Sequence, residues 1–389
     1  MRLRALVTDY LFSSPNGDIH LSREDLAKPF LIGPSEPHPF MTLRDYFQAI
    51  ETFLLRDNAG CMDRILEKTG LGGHGRTKIR RIRIRSEKHG AIYHIASLEI
   101  FLDDGAIKLA VSVAASDHAA RFLARETKTL KTLCESRNLP YLPRVYEKGE
   151  IVCRSPGRPS QTLALLLSEW FEGWHEWHFS GHEASKRRRI AIWDLEKGRR
   201  YANRKEAFEI FRQSARILTL YYDPKTFRQI YPWRHAAGDF IVKTGDDGVH
   251  MRLTTARDYR SIMGFLSEET VNPLIAMAYF FLNLTIWMRL DRLDGVGDVI
   301  WAPDFTVQAV TRGFFEGLRI MSEEAALSFD EVKRLTSLLQ SLQQGELERL
   351  FMPLAAYYEE GSPTEWRVIR THLNSHIHCL HHIIQKFPR

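Results

Sequence analysis

The sequence predicts an α+β protein, in which a small antiparallel sheet carrying one helix precedes a mainly helical half. Three observations lead there. Near residue 78 the apolar spacing changes from helical to alternating, and short strand-like runs follow. One strongly amphipathic stretch, 118–136, interrupts those runs as a helix. Beyond residue 205 nearly every segment has helical spacing, apart from one hairpin at 232–259 whose turn is TGDDG.

Taken in order, residues 1–40 read as an irregular arm, because SSPNGD and GPSEPHP are turn signals. MTLRDYFQAIETFLL, 41–55, is helical, and NAGCMDRILEKTG continues helically to Gly70. LGGHGRTK, 71–78, is a glycine-rich connector. KIRRIRIRS, AIYHIASLEIFL (91–102) and AIKLAVSVAA (106–115) form a three-strand meander, the first strand having a basic face. After the helix at 118–136, LPYLPRVYEKGEIV and TLALLLSEWFEG (162–173) supply two more strands. Helices follow at 205–223 and at about 268–292, 303–321, 329–358 and 363–386. The last starts with Ser362, Pro363, Thr364 and Glu365, a capping-box pattern with proline in the first turn. The expected divisions are 1–77, an arm and helical extension; 78–173, a sheet lobe with one helix; 174–325, a helical lobe; and 326–389, a C-terminal helical extension.

The 389 residues hold 54 Lys plus Arg against 48 Asp plus Glu, a net charge of +6. With 44% hydrophobic and 26% charged residues, the chain is neither disordered, collagenous nor coiled coil as a whole. The basic excess permits a phosphate-bearing ligand without demanding one. Cys61, Cys134, Cys153 and Cys379 show no CxxC spacing and no disulfide framework, which fits a reduced, cytoplasmic setting. The uncharged run Thr270–Met288 approaches membrane-spanning length. Its Pro273, Asn272 and Asn283 favour a buried core helix, so no transmembrane segment is expected.

The order of elements, a small sheet lobe with one helix, a hinge-like strand, then a helical lobe containing a hairpin, resembles the protein-kinase-like fold. The branch it resembles is that of the aminoglycoside and choline phosphotransferases, over roughly residues 78–325. The resemblance implies a kinase-like two-lobed core with ATP and magnesium between the lobes. It places Lys88 and Gly90, in the turn SEKHGAIYHI, near the nucleotide phosphates. LAVS, 109–112, matches the V-A-I-K context, but the lysine position is Ser112. Lys108 lies on the same strand face as a displaced substitute. FLARETKTLKTL resembles the helix whose glutamate pairs with that lysine, which nominates Glu126. LLLSEWFEGW resembles the hinge, which puts Glu169, Trp170 and Phe171 at the adenine edge.

PWRHAAGDFIV resembles the catalytic loop, H-x-D-x-x-x-x-N followed by an apolar strand. That register sets Asp239 on the metal-binding asparagine, a sensible exchange for magnesium. Arg234 stands where the catalytic aspartate belongs, with His235 beside it. Histidine can take a hydroxyl proton, whereas arginine can hold phosphate but cannot act as base. At the second metal position HMRLTTARDY has Leu253, Thr254 and Thr255, and Asp258 follows a few residues on. With lysine, catalytic aspartate and metal aspartate each absent at strict register, two classes of function stay open. One is a diverged phosphotransferase or nucleotide-binding pseudokinase. The other is a non-catalytic scaffold or interaction protein.

Three further groups have both structural and functional readings. His372, His376 and Cys379 share a helix face at i, i+4, i+7, which suits packing or, with a fourth ligand, zinc. Trp174, His175, Trp177, His178 and His182 suit stacking on a base or packing between elements. The stretch 186–205 carries Lys186, Arg187, Arg188, Arg189, Arg199, Arg200, Arg204 and Lys205 as an insertion. It fits a solvated face, or a dock for nucleic acid or another anionic surface.

Overall fold

Isoleucines alternating with arginines between residues 81 and 89 organise the first half of the chain. The computed structural model describes residues 6–14, 17–33, 36–56, 60–70, 79–90, 92–103, 105–154, 157–181, 188–194, 197–235, 238–265 and 272–388. They fall into two units, residues 1–138 with 143–172, and residues 139–142 with 173–389.

The first unit begins with β1 (Val7–Phe12), β2 (Ile19–His20), α1 (Arg23–Leu26), β3 (Pro29–Leu31) and β4 (Pro37–Thr42). Then come α2 (Leu43–Leu55) and α3 (Gly60–Lys68). The sheet proper follows as β5 (Arg81–His89), β6 (His94–Leu102), β7 (Gly105–Ala114), α4 (Asp117–Arg137), β8 (Val145–Cys153) and β9 (Gln161–Glu169). Strand order is β2-β1-β5-β6-β7-β9-β8. All neighbours from β5 to β8 are antiparallel, as expected for 78–173, and α4 packs on β7, β8 and β9.

The arm 1–40 differs from expectation. Part of it is β1, which pairs parallel with β5. Its hydroxyls fasten it: Thr8 Oγ1 and Tyr10 Oη donate to the Glu51 carboxylate of α2 at 2.5 and 2.6 Å. Short strands between turn signals lack the length that makes alternation visible. One core packs Ile82, Ile84, Leu98, Ile100, Leu109, Val111, Leu165 and Leu167 of the sheet against Tyr46, Phe47, Phe53 and Ile65 of α2 and α3. Burying this apolar surface drives the unit to fold.

The opposite phase of β5 carries its arginines. Arg81 pairs with Asp9, Arg83 with Glu99, and Arg85 with Asp18 and Glu87. The basic strand is thus neutralised by carboxylates of its own sheet and the adjoining turn.

The second unit holds β10 (His175–Gly181), β11 (Arg188–Asp194), β12 (Gly198–Tyr201), α5 (Arg204–Leu220), β13 (Gln229–Ile230), β14 (Phe240–Gly245), β15 (Gly248–Leu253) and β16 (Tyr259–Arg260). It continues with α6 (Pro273–Trp287), β17 (Leu290–Arg292), β18 (Val299–Trp301), α7 (Phe305–Glu323), α8 (Phe329–Ser341), α9 (Gln344–Gly361) and α10 (Pro363–Gln385). The hairpin expected at TGDDG is β14–β15, with Gly245 opposite Gly248.

Two expectations for this half need correction. The basic segment 186–205, expected without strands, is not all solvated face. Its described part includes β11 and β12, in a five-stranded sheet of order β12-β11-β10-β14-β15, while Lys186 and Arg187 lie outside the described residues. The dense charge hid the apolar run Ile190, Ala191 and Ile192, which is buried. The helix expected at 329–358 is two helices, because Leu342 is extended (ψ 127°) and Gln343 with Glu346 forms a new capping box.

The uncharged run becomes α6, capped by Asn272 Oδ1 accepting from the Leu274 N–H at 2.9 Å. It is apolar on all sides and almost wholly buried, as a core helix should be. Among the described residues no helix is long and apolar enough to cross a membrane.

Candidate functional site

The 231–240 loop gathers the residues nominated for catalysis. Pro232 and Gly238 (φ +68°) turn the chain tightly. The Gly238 N–H donates to the His235 carbonyl at 2.8 Å, and Thr254 Oγ1 donates to the Gly238 carbonyl at 2.9 Å. This brings Asp239 under the loop, 1% exposed. Its Oδ2 accepts the Arg234 backbone N–H at 2.8 Å and Arg257 Nε at 3.2 Å, and its Oδ1 accepts Arg257 Nη2. Both carboxylate oxygens are therefore engaged by donors of the chain itself. As arranged, Asp239 does not fit a magnesium ligand, since a cation would have to displace a bidentate guanidinium. Asp258, the other nominated carboxylate, accepts the Tyr259 N–H at 2.8 Å. Among the described residues there is no group of three or more His, Cys, Asp or Glu able to hold a metal ion.

Arg234 reaches the other way. Its Nη1 donates to Glu365 Oε1 at 2.6 Å. His235 is 2% exposed among Trp177, Phe211, Trp233 and Phe240, with the Trp177 ring 4.6 Å away. Burial lowers its pKa to about 4. Neither ring nitrogen makes a hydrogen bond of good geometry among the described residues. A histidine in this setting stays neutral at pH 7 but is walled off from a hydroxyl substrate.

In the first unit, the Gly90 N–H donates to the Tyr93 carbonyl at 3.0 Å, and a Cβ at Gly90 would stand 2.7 Å from that oxygen. The tight turn accounts for this glycine. Lys88 is exposed near the end of β5. Lys108 pairs with Glu99 at 3.3 Å and Glu172 at 3.6 Å, and lies 4.8 Å from the centre of the Trp170 ring. It does not pair with Glu126, whose carboxylate accepts the Tyr93 hydroxyl. Glu169 Oε2 accepts the Arg144 N–H at 3.3 Å, and Phe171 is buried.

His178, expected to stack on a base or to pack, meets two carboxylates that spacing along the chain does not announce. His178 Nδ1 lies 3.4 Å from Asp291 Oδ1, and its Nε2 lies 3.9 Å from Glu176 Oε2. Asp291, itself buried, also accepts the Phe179 N–H at 2.8 Å. Burial alone would lower the His178 pKa. The bonds and charges of Asp291 and Glu176 outweigh it and raise the value to about 9. Arg257 in TTARDY carries no metal-ligand signal, and its role shows only in the pair it makes with Asp239.

The histidine face of α10 is packed. His376 is fully buried, 3.2 Å from Thr285 Oγ1, and His372 stacks on Trp301 at 5.4 Å. His175 lies 3.5 Å from Asp194, and His182 lies outside the described residues. No family model matches the chain, and no curated protein is significantly similar to it.

Proposed function

We propose that the chain is a kinase-like protein that binds a nucleotide, ATP, without transferring its phosphate. The element order supports the kinase-like part: three antiparallel strands, one helix, two further strands, then a second unit rich in helices with the β14–β15 hairpin. The observation that carries the non-catalytic part is the Asp239–Arg257 ion pair. Phosphoryl transfer depends on carboxylate-held metal ions and a base that reaches the acceptor. Asp239 is occupied, and His235 is enclosed by aromatic rings.

A thermal-shift titration with ATP, with and without magnesium, tests this beside an assay for ADP release. ATP should raise the melting temperature by mass action, EDTA should leave that shift in place, and no ADP should form. Magnesium-dependent ADP formation overturns the non-catalytic part. Absence of any shift overturns nucleotide binding. A second reading, an interaction protein, is favoured by one observation: among the described residues, Arg188, Lys197, Arg204 and Lys205 have no carboxylate partner.

A further inference from the structure

Strand alternation puts Arg189, Ala191 and Trp193 of β11 on one face of the sheet. Register adds Arg199 and Tyr201 of β12, with Arg199 opposite Trp193 and Tyr201 opposite Ala191. The four long side chains form a ladder of rings and guanidinium groups. Arg199 lies 5.7 Å from the centre of the Trp193 ring and 5.1 Å from that of Tyr201, and Arg189 lies 5.1 Å from Tyr201. Cation–π contact of this kind holds a guanidinium in place while its edge keeps donors to spare. Arg199 gives one nitrogen to Ser180 and Tyr201, and Arg189 gives one to the Ala202 carbonyl at 3.3 Å.

The face is open. Trp193 is 38% exposed, a large value for tryptophan in a sheet. Lys197, exposed in the turn before β12, adds a cation beside the ladder. Arg188 has the opposite strand phase, and Arg204 and Lys205 open α5, whose Phe211 packs on Trp177 and Phe179 of the other face. Two carboxylates also lie here. Glu176 faces His178 and Asp294 faces Arg199 at 3.8 Å, which leaves Arg189 and Lys197 without a carboxylate partner among the described residues. On the β10 side, Gly295 closes over the His178 ring, which confines the open part to β11 and β12.

We propose that this face binds single-stranded nucleic acid, with phosphates on the arginine and lysine groups and a base stacked on Trp193. Exposed aromatic rings interleaved with cations suit a flexible strand whose bases are unpaired, because every base offers a π-face and the backbone supplies regular negative charge. A lipid surface would use the cations and could seat a tryptophan, but it needs a broad apolar face to bury, and Ala191, the other apolar residue of this β11 face, is already covered. A duplex keeps its bases stacked inside. The inference goes beyond nucleotide binding and does not depend on it.

The test is fluorescence anisotropy of the full chain with a labelled short oligo(dU), over a salt series and with excess ATP present. The expected result is binding whose logarithm falls linearly with log salt and which ATP does not displace. Trp193→Ala should weaken it on the order of tenfold, and Trp193→Phe should restore most of the loss. Lys197→Glu should weaken binding and reduce the salt slope. Circular dichroism melts should show all three surface variants folded. Any of four results overturns the proposal: no binding at low salt, equal affinity for duplex, displacement by ATP, or affinity unchanged in Trp193→Ala. Binding to phosphatidylserine vesicles in place of the oligonucleotide would reassign the face to membranes.

Discussion

Arg234 and Glu365, 131 positions apart, meet at 2.6 Å, and this contact replaces the helix cap that the sequence around Glu365 suggests. Ser362 makes no side-chain cap bond, and its N–H donates to the Tyr358 carbonyl at 2.8 Å, which leaves the Glu365 carboxylate to the guanidinium. The two ends of the pair differ in burial: the Glu365 side chain is 9% exposed and that of Arg234 is 42%. Removing the cation leaves an enclosed carboxylate, whereas removing the charge on Glu365 leaves an arginine that water can reach. Arg234→Ala should therefore cost about 2–3 kcal/mol and Glu365→Gln only about 1 kcal/mol. Urea denaturation of both variants checks the order, and the reverse order would show that the pair does not hold α10 in this way.

Asp239 gives a sharper comparison. Asp239→Ala strips the Arg234 N–H and Arg257 of their acceptor in a site 1% exposed, so a loss of about 3–5 kcal/mol is expected. Asp239→Asn keeps an acceptor and should lose less. Neither variant should change the size of the ATP-induced thermal shift if Asp239 serves only the loop. A shift abolished in a folded Asp239→Asn would return this residue to the ligand site.

Stability should peak near pH 6.5 through three histidines. His178 has a folded value of about 9, above the unfolded 6.5. Its contribution is therefore complete below pH 6.5 and is lost as pH rises towards 9. Burial sets His235 to about 4, and burial with Arg289 sets His376 to about 3. Their contributions are complete above pH 6.5 and fall away as pH drops through those values. Melting temperature measured from pH 4 to 10 should show both limbs. Asp291→Asn should flatten the alkaline limb and leave the acid limb in place.

Two glycines allow α7 to approach α5. A Cβ at Gly313 would overlap the Arg212 carbonyl oxygen, and one at Gly317 would stand 2.7 Å from Thr219 Cβ. Both obstacles belong to α5. Gly313→Ala should cost at least about 1–3 kcal/mol through overpacking against backbone, despite the better helix propensity of alanine. A stabilised Gly313→Ala, measured by chemical denaturation, would mean that the helices separate without cost.

Local chemistry made much of the fold legible. Alternating isoleucines specify β5, the amphipathic period specifies α4, and the two-residue turn between Gly245 and Gly248 specifies its hairpin. All of these depend on neighbours within a few positions. The sheet of the second unit escaped notice because charge on β11 and β12 masked a three-residue buried run. The arm escaped because β1 acquires its meaning only beside β5, some 74 positions away.

By itself the sequence determined the strands β5 to β9 and their antiparallel sheet, the position of α4 and the buried character of α6, since periodicity and composition act locally, while the placing of β9 between β7 and β8 came from the fold. Only the tertiary structure decided what the nominated site residues do. It paired Asp239 with Arg257, Arg234 with Glu365, Lys108 with Glu99 and Glu172, and His178 with Asp291. A charged side chain is defined by the partner it meets when water is excluded, and that partner is chosen by the fold rather than by spacing along the chain.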